Sequence, residues 1–248
     1  MTMGLATRII PMLLHSHGNL VKGVRFEAWR TVGHALQAAR IHQARNVDEL
    51  LLLDVAATAE GAQSDCRIVE DLTTGCFMPI TAGGGVRSLD DAKALLRAGA
   101  DKVAIGAAIH TGSGVIKACA DALGSQAVVA VIETVNGRTY AAGKEWYTLS
   151  PLDLALYLVA DGAGEILLMS RDRDGTLEGY DMETLGKVAQ RVDVPVIAAG
   201  GAGTYEHMRQ AIDAGASAVA AGAMFQWTDQ TPRGAAQYLA EKGIEVRL

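Results

Sequence analysis

Short apolar runs alternate along the chain with amphipathic stretches of helical period. The runs that open near Arg8, Glu49, Phe77, Lys102, Ala127, Glu165, Val194 and Ala218 have the length and composition of buried strands. Between them, residues 89–98 and 205–214 place apolar side chains at helical spacing and stop at Gly99 and Gly215, where a left-handed C-terminal cap favours glycine. Strand and helix signals therefore alternate, the order that builds a parallel sheet covered by helices.

The alternation repeats. PITAGGGVRSLDDAKALLRAGADKVAIGAA from Pro79 aligns without a gap on PVIAAGGAGTYEHMRQAIDAGASAVAAGAM from Pro195, at a constant offset of 116 residues. Carried upstream, the same offset lays VDELLLLDV from Val47 over AGEILLMSR from Ala163 and pairs Glu49 with Glu165. The chain thus reads as two copies of one half with four βα units each. Eight units in 248 residues predict an α/β fold of TIM (β/α)8 type, built from two half-barrel repeats as one domain over residues 1–248. An open doubly wound sheet is the alternative.

Composition narrows the function. A net charge of −6 with no Lys/Arg run argues against nucleic acid as partner. Cys66, Cys76 and Cys119 form neither a CxxC pair nor a zinc-ligand spacing, so reduced thiols and no metal are expected. The N-terminal apolar run is short and no stretch approaches the ~18 apolar residues of a membrane span, which predicts a soluble cytoplasmic protein without membrane association. No dinucleotide fingerprint or Ser/His/Asp system is present, and no cofactor is implied.

In such a barrel, chemistry sits at the C-terminal ends of the strands. Gly84 and Gly85 follow strand 3 and Gly106 follows strand 4; Gly200, Gly201 and Gly222 repeat them after strands 7 and 8. Glycines there let backbone N–H groups approach an anion, which points to two phosphate sites across one mouth; turn glycines are the plainer alternative. Asp174, in SRDRDGTLEGYD, is placed to orient a hydroxyl or exchange a proton, with the Gly175 amide beside the second phosphate, unless DRDG is only a turn. Glu133 ends strand 5 as a candidate catalytic carboxylate or a solvated strand-end charge. Lys22, in the loop after strand 1, is either a phosphate partner or a surface lysine. His15 and His17 lie just past strand 1 as candidate proton carriers or plain loop residues. At the opposite strand ends, Arg8, Glu49, Lys102 and Glu165 can balance as a ring of two cations and two anions closing the floor.

RIIPMLL, GNLVKG, TAGGGVRS, GADKV, GSQAVV, GAGEILLMSRDRDGTLEGYD, IAAGGAG and the closing GIEVRL resemble the cyclase subunit of imidazole glycerol phosphate synthase over nearly the whole chain. The resemblance implies a barrel that takes ammonia from a glutaminase subunit docked on its N-terminal face and adds it to a bisphosphorylated substrate at the top. It implies a lyase or cyclase type of chemistry, an ammonia gate at Arg8, Glu49, Lys102 and Glu165, and phosphate binding at Lys22, Gly85, Gly106, Gly175, Gly201, Gly222 and Ala223. It also exposes departures. The positions where the family carries its two catalytic aspartates hold Leu14 and Glu133, and hydroxyl positions near the second phosphate site hold Met169, Ala199 and Ala223. The expectation is an ammonia-using synthase subunit acting on a phosphorylated metabolite other than the usual histidine-pathway substrate. The alternatives are a true cyclase subunit, with His15, His17 or Glu133 as substitute acid, and a non-catalytic barrel that activates a glutaminase and channels ammonia.

Overall fold

The computed structural model describes residues 6–141 and 148–248. Eight parallel strands form a closed barrel: β1 (Arg8–Ser16), β4 (Leu50–Asp54), β5 (Ile80–Gly83), β6 (Lys102–Ile105), β7 (Val128–Val135), β9 (Glu165–Ser170), β10 (Val196–Ala199) and β11 (Ala218–Ala221). Closure comes from β11 pairing back onto β1, with Arg8 opposite Ala218 and Pro11 opposite Ala221. The helices α1 (Ala35–Ala44), α2 (Cys66–Gly75), α3 (Leu89–Arg97), α4 (Val115–Leu123), α5 (Pro151–Ala160), α6 (Met182–Ala189), α7 (Tyr205–Asp213), α8 (Ala223–Trp227) and α9 (Pro232–Glu241) follow the strands in turn. This is the TIM barrel that the alternating pattern predicts.

Strand alternation sorts the apolar residues into two separate clusters. Ile10, Met12 and Leu14 of β1 join Leu51, Ala104, Val129, Val131, Leu167, Met169, Ile197 and Ala220 inside the barrel. Ile9 and Leu13 point the other way, into the larger layer between strands and helices with Leu50, Val69, Leu72, Leu95 and Leu185.

The repeat is physical as well as textual. Leu50 N–H donates to Pro79 O at 2.9 Å and Ile166 N–H to Pro195 O at 3.0 Å, while Asp101 N–H donates to Ile80 O and Ser217 N–H to Val196 O, each at 2.9 Å. Each pair is separated by the same offset. The caps match too. Ser88 Oγ accepts from Asp91 N–H ahead of α3, and Thr204 Oγ1 accepts from His207 N–H ahead of α7. Gly99 and Gly215 close those helices at φ +105° and +110°.

Three features depart from the sequence reading. β5 begins at Ile80, not near Phe77, because Phe77 is 88% exposed with its N–H taken by the Gln43 side chain, and Ile80 is the first residue in register with β4, opposite Leu50. The segment after β1 is no simple loop: it forms a hairpin of β2 (Asn19–Val24) and β3 (Glu27–His34), turned by Arg25 and Phe26 at φ +57° and +59°. A second short return, β8 (Arg138–Thr139), pairs with the end of β7.

Candidate functional site

At the floor, the four charged residues that open β1, β6 and β9 and precede β4 meet in one closed ring. Arg8 Nη1 lies 2.6 Å from Glu49 Oε2 and Arg8 Nη2 lies 2.9 Å from Glu165 Oε2; Lys102 Nζ bridges the same two carboxylates at 3.1 and 2.8 Å. Thr81 Oγ1 donates to the remaining Glu49 oxygen at 2.6 Å. The two glutamates are repeat mates, whereas neither cation has a basic mate at the offset: Gly124 stands opposite Arg8 and Ala218 opposite Lys102. A pseudo-twofold carboxylate pair is thus knitted by two cations that break the symmetry. Burial pushes the Glu165 carboxyl up, but hydrogen bonds and charge from Arg8 and Lys102 outweigh it and hold the group below the usual carboxylate range. Above the ring the strand side chains turned into the lumen are apolar until the top of the barrel.

At the top, Glu133 and Arg171 face each other across the ends of β7 and β9, with Arg171 Nη1 2.8 Å from Glu133 Oε2. Both continue the inward parity of their strands, Val129–Val131–Glu133 and Leu167–Met169–Arg171. The backbone fixes their frame: Arg171 N–H donates to Thr134 O and Tyr140 N–H to Glu133 O, each at 2.8 Å. The guanidinium lies 4.3 Å from the ring centroids of both Phe26, at the hairpin turn, and Tyr140. Phe26 also packs against the lumen cluster.

Lys22 and Asp174 sit beside them. Lys22 belongs to β2, is 1% exposed, and its Nζ lies 3.2 and 3.1 Å from the two Asp174 oxygens. It is therefore not the solvated surface lysine of one sequence alternative. The hairpin is tied to the loop after β9 at two further points. Arg25 N–H donates to Asp174 O at 2.7 Å, and Gly175, at φ +76°, lets the Gly23 carbonyl approach to 2.4 Å of where a Cβ would stand. Burial raises the Asp174 carboxyl above the usual carboxylate range, with the Lys22 charge opposing the shift.

The doubled glycines follow β5 and β10 at this same end. A Cβ on Gly84 would lie 2.2 Å from Asp54 O, and one on Gly200 would lie 2.3 Å from Ser170 O, again at the repeat offset. The neighbouring strand end thus requires glycine there whatever else the site holds; Gly85 and Gly201 are crowded in the same way by Ala62 O and Gly179 O. Gly106 differs, with negative φ and room for a Cβ in ordinary contact with Val131 Cβ at 3.5 Å. Gly222 and Ala223 open α8, with Gly222 beside Lys22.

The two histidines stand apart from this cluster. His15 shares the outward parity of Leu13, is buried, has no partner for Nδ1 among the described residues, and is held below the ordinary imidazole pKa by burial against the opposing charge of Asp54. His17 is exposed and pairs with Glu60 at 3.2 Å. Leu14, in contrast, lies within the lumen.

The family model described as histidine biosynthesis protein matches residues 8–230. The chain belongs to that family. As a histidine biosynthesis family member it is a histidine-pathway-type barrel, and the match spans both half-barrels, the floor ring and the mouth. Among the described residues no helix is long and apolar enough to cross a membrane, and no group of three or more His, Cys, Asp or Glu is placed to hold a metal. Sequence reasoning missed Arg171, Phe26 and Tyr140. The signal for Arg171 was available, since the period-2 alternation of β9 carries inward from Leu167 through Met169 to Arg171. Tyr140 reaches the site through a return that Asn136-Gly137 marks in the sequence, whereas the hairpin that brings Phe26 turns on Arg25 and Phe26 without such a mark.

Proposed function

We propose that this barrel is the ammonia-using synthase subunit of a glutamine amidotransferase, a lyase- or cyclase-type enzyme. A glutaminase docks on its N-terminal face, and the acceptor is a phosphorylated metabolite other than the usual histidine-pathway substrate. The observation that carries the reading is the closed ring of Arg8, Glu49, Lys102 and Glu165 at the foot of an apolar lumen. Neutral ammonia crosses an apolar lumen at little cost, whereas ammonium would have to shed its hydration among residues that offer no counter-charge. A ring held by four ion pairs shuts the lumen to water and opens when one cation swings aside.

At the other end, Glu133 would accept the proton released as ammonia adds to the acceptor. Gly84, Gly85, Gly106 and Gly175, with Gly200, Gly201, Gly222 and Ala223, would present backbone N–H groups to phosphates on two sides of the mouth. Lys22 and Asp174 hold the hairpin that covers it. The departures at Leu14 and Met169 support a changed acceptor, because they leave the top of the lumen apolar where proton transfer would need a polar group.

Lys102→Ala tests the gate. With the partner glutaminase present, glutamine-dependent turnover should fall much further than turnover with ammonium salts, which reaches the mouth from solvent. Equal loss of both would reduce the ring to a structural staple and remove the main support for this reading.

A further inference from the structure

We propose that Arg171 is a positioning residue that couples the β2–β3 hairpin to Glu133, so that the carboxylate is held in place only while the hairpin is down over the mouth. The guanidinium is shared between two duties. One edge donates to Glu133 at 2.8 Å, and its face receives the Phe26 ring at 4.3 Å, with Tyr140 at the same distance. Among the described residues its side chain bonds no acceptor other than Glu133. Its orientation is therefore set by stacking, and Phe26 is the stacking partner that comes from a separate, liftable element. Tyr140 is fixed by its backbone bond to Glu133 itself.

The hairpin turn is costly in isolation. Arg25 and Phe26 both take left-handed backbone conformations without being glycine, at about 1 kcal/mol or more each. That strain is held by what the turn touches: Asp174 O through the Arg25 N–H, and Arg171 through the Phe26 ring. Lifting the turn removes one face of the guanidinium's slot, and a guanidinium free to rotate no longer orients its carboxylate partner. Two neighbouring ionisable groups among the described residues are already engaged. Lys22 pairs with Asp174, and Asp172 accepts from Ser170 Oγ and Asn136 N–H, so neither replaces Arg171 beside Glu133.

The inference takes its meaning from the reading of Glu133 as proton acceptor, but its test needs neither ammonia nor an acceptor. Coupling between two sites is reciprocal. Phe26→Ala, which leaves Glu133 and its partner in the chain, should shift and broaden the Glu133 side-chain carboxyl 13C resonance, assigned with Glu133→Gln, as the carboxylate loses its fixed partner. Glu133→Gln should in turn speed hydrogen exchange at the Arg25 amide, which reports hairpin docking, by about tenfold. In an Arg171→Met background both cross-effects should vanish. Phe26→Leu, which keeps bulk but loses the ring, serves as a milder variant, and barrel-strand amides of unchanged exchange certify the fold. Cross-effects that are absent in the parent chain, or that persist undiminished without Arg171, would overturn the coupling. A failure of the Lys102 gate test would leave it standing as a property of the mouth.

Discussion

Lys22 and Asp174 show how much a single charge depends on its partner. Both are almost fully buried, and Asp174 is the acceptor for both the Lys22 ammonium and the Arg25 amide. Removing one member leaves an uncompensated charge in a dry site, which costs about 3–5 kcal/mol, whereas replacing both by apolar residues of similar size is often near neutral. Asp174→Asn should therefore lower the urea-unfolding free energy by several times as much as the double change Lys22→Met, Asp174→Leu. A loss in the double variant as large as that of Asp174→Asn would show that the two residues act independently. The sequence alone could not reveal this pair. A lysine between apolar neighbours in GNLVKG reads equally as a loop residue or a ligand, and its partner lies 152 positions away in a motif read for its own sake. Glu133 was legible as an inward strand end, but its neutralisation by Arg171 required the register of β7 against β9, which places Glu133 opposite Met169.

At the scale of elements, the repeat made the barrel legible because the same physical demand recurs after 116 residues. β4 and β9, the glycine turns, the helix caps and the left-handed terminal glycines all return in register. What breaks the repeat stayed hidden. Among the described residues the second half answers the β2–β3 hairpin only with the short return β8, β3 is exposed along most of its length, and its turn uses Arg25 and Phe26 where a sequence reader looks for glycine or asparagine. The same logic separates glycines that look alike on paper. Gly200 combines φ +87° with a carbonyl 2.3 Å from the missing Cβ, so Gly200→Ala should destabilise by about 2 kcal/mol or more. Gly186, inside α6 with only a flexible Gln190 amide 3.9 Å away, pays helix entropy without need, and Gly186→Ala should stabilise by about 0.5–1 kcal/mol. Thermal or chemical denaturation of the two variants should therefore give shifts of opposite sign.

Taken as a whole, the molecule joins a floor that matches the resembling cyclase pattern to a mouth that departs from it. Arg8, Glu49, Lys102 and Glu165 stand in one ring, while the lumen-facing position near the top of β1 is leucine and the carboxylate at the end of β7 is a glutamate held by Arg171. On the proposed reading, ammonia delivery is retained and the chemistry it feeds has changed. Neither His15 nor His17 offsets the loss: one points out of the barrel and the other is 68% exposed beside Glu60. With ammonium salts, the protein should therefore convert the histidine-pathway bisphosphate at least about a thousandfold more slowly than a family member with both aspartates, since a missing positioned acid costs ~10²–10⁴-fold. The longer Glu133 side chain adds a misplacement of roughly an ångström to that loss. The double variant Leu14→Asp, Glu133→Asp should regain part of the rate. Full recovery is not expected, because Arg171 would then face a shorter carboxylate and Met169, Ala199 and Ala223 would still lack hydroxyls. Near-normal turnover by the unmodified protein would overturn the changed-acceptor reading. It would then pass the acid role to Glu133, the carboxyl group that stands beside Arg171 at the top of the lumen.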